Sequence, residues 1–168
     1  MKFGPRTLIF LSGLIWLMIG IFLLSLGSNF IIQACNAATI GIFSKASLIP
    51  LLKNTIKDIS QVAVVELSFA LFLGYLKGRA VFSKTVHRQV ERIRSLPSPI
   101  PLAKIYTRGY YFLIAGMIGL GMSMRFLPIG SDIRGIVDVA VGMALISGAL
   151  QYFRQAISFT PNVEIENP

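Results

Sequence analysis

The sequence predicts an all-α integral membrane bundle of four helices, arranged as two related hairpins. Three observations predict it. Apolar stretches near residues 8–27, 59–77, 109–127 and 135–153 each approach the ~20 residues that carry a helix across a bilayer's hydrocarbon core. Charged residues make up 14% of the chain and apolar ones 54%, whereas a soluble domain carries about 25% charge. Finally, eight of the sixteen basic residues lie in one connection, between the second and third stretches. Four spans and their loops use nearly all 168 residues, so one membrane domain is expected.

Span one follows a basic leader, Lys2 to Arg6, as a signal peptide would. Ile32-Gln33-Ala34-Cys35 has the outline of a lipoprotein box. The apolar run from Thr7 to Leu26 nevertheless exceeds the usual h-region and ends well before Cys35, so the segment is read as a retained span. Gly13, Gly20 and Gly27 recur every seven residues and share one helix face. Small residues of this kind let membrane helices approach closely.

The first connection, 28–57, is long but still apolar, and a structureless loop of that length is uncommon. Its 31–57 portion is expected to lie at the membrane interface, with a helix opening at Ser47-Leu48-Ile49-Pro50. Span two carries the small pair Ala70 and Gly74. The basic loop, 78–108, includes Lys84, Arg88, Arg92 and Arg94. Phe82, Val86, Val90 and Ile93 form a helical stripe there, so span two is expected to continue as a basic amphipathic helix that reaches the headgroups. It ends near Leu96, because Pro97, Pro99 and Pro101 follow.

Span three repeats the seven-residue spacing at Gly109 and Gly116, and span four has Ala140, Ala144 and Gly148. Shifted by 74 positions, span two matches span four at Asp58/Asp132, Ala70/Ala144 and Gly74/Gly148. That predicts a parallel pseudo-repeat about an axis along the membrane normal. Asp132 is expected to be the N-cap of span four. Tyr110, Tyr111, Phe112, Tyr152 and Phe153 are expected in an interfacial aromatic belt. Lys and Arg favour the cytoplasmic side, so both termini and the basic loop are placed there, in a bacterial inner membrane.

Few residues can carry chemistry. Glu66 lies within span two, where an isolated carboxylate costs ~3 kcal/mol unless neutralised, paired or hydrated. It is the candidate proton or ion site, with Asp138 as a second. Arg134 is four residues before Asp138, at salt-bridge spacing, and Arg125 stands nearby in sequence. The three form either an outer gate or a structural tie. Lys84, Arg88, Arg92 and Arg94 are candidates for contact with anionic lipid headgroups or a protein partner. The small residues Gly13, Gly20, Gly27, Ala70, Gly74, Gly116, Ala144 and Gly148 are assigned to helix packing, and those of spans one and three also to contact between copies in a homo-oligomer.

His87 and Cys35 are each the sole residue of their type. That supplies neither a typical zinc site nor a Ser-His-Asp triad, so no metal, cofactor or hydrolase is predicted. The +9 formal charge fits a cytoplasmic loop better than nucleic-acid binding, since no such motif is present. The first functional reading is therefore non-catalytic: an envelope scaffold or accessory protein whose basic loop rests on anionic lipid or a partner. The second is a small proton- or ion-linked transporter or channel using Glu66.

Overall fold

In the computed structural model the described residues are 4–42, 46–95, 116, 119, 123, 124 and 126–158. Four helices account for most of them: α1 (Pro5–Thr39), α2 (Ile49–Lys53), α3 (Ile59–Ser95) and α4 (Ser131–Ile157). Three of these, over Arg6–Thr39, Ile59–Ala80 and Ser131–Ile157, are long and apolar enough to cross a membrane. The third expected span, 109–127, lies largely outside the described residues, as does the proline-rich segment that follows α3.

Helix α1 runs twelve residues beyond the span read from sequence. Read from sequence, the first connection begins at Ser28. In the fold Ser28 donates its hydroxyl to the Leu24 carbonyl at 2.7 Å, and Thr39 does the same to Cys35 at 3.0 Å. These back-bonds keep polar side chains satisfied within the helix. The real stop is Gly41, whose φ of +81° only glycine adopts without strain. Around it, Ile42 N–H reaches the Ala37 carbonyl and Gly41 N–H the Ala38 carbonyl, closing a Schellman motif. The segment 31–39 thus continues α1 as helix, buried or half-buried on one face, and Cys35 sits inside it.

The short α2 opens as expected, with Pro50 in its first turn and Ile49 buried. Helix α3 starts at an Asp58 cap, whose Oδ1 accepts the Ser60 N–H at 3.0 Å. It continues unbroken to Ser95. Phe82, Val86 and Val90 are buried, but against protein. Their partners are Leu8 and Ile9 of α1 and Tyr152 and Ala156 of α4. One face of the basic extension is therefore packed into the bundle, while Arg88 is exposed on another. Tyr152, assigned to the aromatic belt, is fully buried in the same cluster, 5.9 Å from Trp16. Trp16 also meets Phe82 edge-on at 4.8 Å.

Glycine spacing sets how the helices pair. Gly20 faces Gly142 and Gly27 faces Gly135, so α1 and α4 run antiparallel with their backbones touching. The small face of span one is used within the chain and is not left free for a second copy. Gly74 packs on Ala140, Gly78 on Ala144 and Phe82 on Gly148, so α3 and α4 run parallel. The start of α1 and the ends of α3 and α4 share one end of the bundle, called here the basic end. The 46–49 segment, the start of α3 and the start of α4 share the other.

Candidate functional site

The α3–α4 pairs Gly74–Ala140, Gly78–Ala144 and Phe82–Gly148 each join positions 66 apart in sequence. Glu66, Ala70, Gly74, Gly78, Phe82, Val86 and Val90 form one row of buried residues at four-residue steps on α3. The facing row on α4 begins at Asp132 and passes through Ile136, Ala144, Gly148 and Tyr152, all buried. Residues four apart share a helix face, so both rows begin with an acid at the same end.

Glu66 is 2% exposed, and neither of its carboxylate oxygens has a hydrogen-bond partner among the described residues. Val62 and Ala70, one turn either side, belong to an apolar cluster with Ile31, Cys35, Ile136 and Val139. Asp132 is buried at the start of the facing row of α4, the same end as Glu66. Sequence reasoning found Glu66 but not this company. Asp132 is 66 residues away, and only the register of the small residues puts the two at the same end of the facing rows.

Asp132 does not cap its own helix. The N-cap of α4 is Gly130, with no side-chain cap bond. The reason is a better set of donors across the loop. Asp132 Oδ2 accepts the Leu48 N–H at 2.6 Å and the Ser47 hydroxyl at 2.9 Å. It thereby caps the start of α2 and ties the 46–48 segment to α4. Gly130 N–H adds a bond to the Ala46 carbonyl at 2.7 Å. Asp132 is 1% exposed, and its Oδ1 has no partner among the described residues. The sequence match of Asp58 with Asp132 therefore pairs residues with different work, since Asp58 does cap its helix.

The other assigned residues are placed as follows. No ion pair of Arg134 with Asp138 is found among the described residues; His87 Nε2 lies 3.0 Å from Glu91 Oε1. Arg134 Nη2 donates to the Met124 carbonyl at 2.7 Å, and its guanidinium sits 5.5 Å from the centre of the Phe30 ring. Asp138 is half-buried on α4. Arg125, the third member of the expected gate or tie, lies outside the described residues. Arg88 is exposed on α3, as are Lys77 and Arg79. Lys84, Arg92 and Arg94 lie on α3, and their side chains are outside the described set. Of the packing residues, Gly13, Gly20, Gly27, Ala70, Gly74, Ala144 and Gly148 are buried in helix contacts, whereas Gly116 is exposed, with no close neighbour among the described residues.

Chemically, two buried carboxylates share an apolar region, and only one has hydrogen-bond donors. Like charges at such a place are tolerated only with a proton or a cation between them. Comparison with known proteins gives no match: no family model, no curated protein and no solved structure resembles this chain.

Proposed function

We propose that the protein is a small multi-pass transporter or channel that handles a proton or cation at Glu66 and Asp132. The observation that carries this reading is the burial of Glu66 without a partner among the described residues, beside a second buried acid. An ionisable group held within a membrane span is a functional site by default, because its burial is costly. Sequence alone favoured a non-catalytic scaffold, since no polar residues converged. The α3–α4 register supplies that convergence.

The reading includes four spans, with both termini and the basic segment in the cytoplasm of a bacterial inner membrane. The positive-inside bias supports this. So does the parallel course of α3 and α4, which calls for a return crossing between them. Copies of the chain associate to complete a path, because α3 and α4 touch backbone to backbone at Gly74 and Gly78.

A second reading keeps the protein as an accessory component with its basic end on anionic lipid. The exposure of Lys77, Arg79 and Arg88 favours it.

The test is flux. Purified protein in liposomes is assayed for proton and alkali-ion movement beside Glu66→Gln. Transport by wild type and its loss in the variant support the first reading. Liposomes no leakier than empty ones across the panel would return the protein to the accessory role.

A further inference from the structure

We infer that Glu66 takes a proton and not a metal cation, and holds it as a neutral carboxyl among apolar side chains. This rests on the transport reading and names the ion that the site handles.

The first support is enclosure. Glu66 is 2% exposed, and among the described residues neither of its buried oxygens meets a hydrogen-bond donor or a basic side chain. It stands about 10 Å along α3 from Ile59, inside the stretch long and apolar enough to cross a membrane. A carboxylate there keeps its full charge with no water or donor to offset it. The neutral acid is far less costly to bury.

The second support is the make-up of the surroundings. Val62 and Ala70, one turn to either side, pack with Ile31 of α1 and with Ile136 and Val139 of α4. Hard cations such as calcium and magnesium are held by about six oxygen ligands or more, and these neighbours offer carbon. Among the described residues no three His, Cys, Asp or Glu side chains gather to hold a metal. A proton needs neither a ligand shell nor a cavity, because it adds to a lone pair that Glu66 already has.

The third support is the sign of the nearby ionisable groups. Helix α1 brings Cys35 into the same cluster, and Asp132 begins the facing row of α4. Both are acids, so neither can neutralise a carboxylate. On α2, Lys53 is exposed. Neutrality at Glu66 therefore falls to a proton of its own.

Infrared difference spectroscopy of the full chain tests this apart from flux. The wild-type spectrum minus that of Glu66→Gln, both in detergent at neutral pH, isolates the carboxyl at position 66; Glu66→Leu is the subtraction if Glu66→Gln does not fold. A neutral carboxyl gives a C=O stretch well above the carboxylate doublet, and the band shifts down in heavy water. The acid band is expected, and sodium, potassium, calcium or magnesium chloride at constant ionic strength should leave its intensity unchanged. A carboxylate doublet in its place overturns the inference, and so does an acid band that any of these salts converts to the doublet. The acid band without proton flux in liposomes keeps the proton site and removes the transport reading. Alkali-ion flux that Glu66→Gln abolishes, with the carboxylate doublet in wild type, does the reverse.

Discussion

Gly27 of α1 and Gly135 of α4 meet with no side chain between them: a Cβ on either would come 2.6 Å from the other's carbonyl oxygen. Gly20 and Gly142 repeat the arrangement one heptad away. Such closeness cannot be relieved by rotating a side chain, because the neighbour is backbone. Gly27→Val or Gly135→Val should therefore lower stability by about 1–3 kcal/mol, the usual cost of overpacking. Gly116→Ala should change it by less than about 0.5 kcal/mol, since no described residue would lie within 4 Å of the added Cβ. Thermal unfolding in detergent compares them. Equal melting of all three variants would mean that α1 and α4 do not pair through these glycines.

Asp132 holds the 46–48 segment by two bonds to one oxygen. Asp132→Ala should release it, at a cost of about 1.5–3 kcal/mol for a charged hydrogen-bonding group. Amide hydrogen exchange reads this directly. The Leu48 amide should exchange much faster in the variant, while amides near the middle of α4 remain protected. Unchanged protection at Leu48 would show that its N–H is held by something else.

Glu66 gives the opposite stability prediction. Its carboxylate is buried with no donor among the described residues, so replacing it by an apolar residue of similar size should not weaken the fold. Glu66→Leu should melt at or above the wild-type temperature, gaining up to about 1–3 kcal/mol, and should lose ion movement in liposomes. A variant that fails to fold would assign Glu66 a structural bond.

Trp16 is the only tryptophan in the chain, so its emission is an unmixed reporter. It is 3% exposed, edge-on to Phe82 and close to Tyr152. Its emission should be blue-shifted in the folded protein and should move to the red in Phe82→Ala. That substitution should cost about 3–5 kcal/mol, as for other buried aromatics cut to alanine. Emission that ignores position 82 would mean that the basic half of α3 is not packed against α1.

The sequence made the long apolar helices legible, along with the Pro50 start of α2 and the continuation of α3 to Ser95. Each of these rests on local rules: run length, proline position and a four-residue stripe. The extra length of α1 was not legible, because the first connection, read from sequence, begins at Ser28 while the partner helix is out of sight. Glu66 stood out as a lone acid among valines. Asp132 did not, because an acid next to a helix start has a ready local explanation as a cap. Its actual partners, Ser47 and Leu48, are 85 and 84 residues away, a separation that no local pattern reports. Tyr152 failed for a similar reason: aromatics near a span end suggest an interface until the neighbouring helix proves long enough to cover them.

The apolar parts of α1 and α3 are unequal, at 34 and 22 residues, or about 51 and 33 Å. A hydrocarbon layer of ~30 Å matches only the shorter. The surplus on α1 is sheathed near both ends, by Phe82, Val86 and Tyr152 at one and by Ile49 and Val62 at the other. If both helices cross a bilayer, α3 is the one whose length fits it, and Lys77 and Arg79 would then lie near one waterline. In a thicker or thinner bilayer the lipid should adjust to α3, while α1 rides through like a mast whose draught is set by the hull around it.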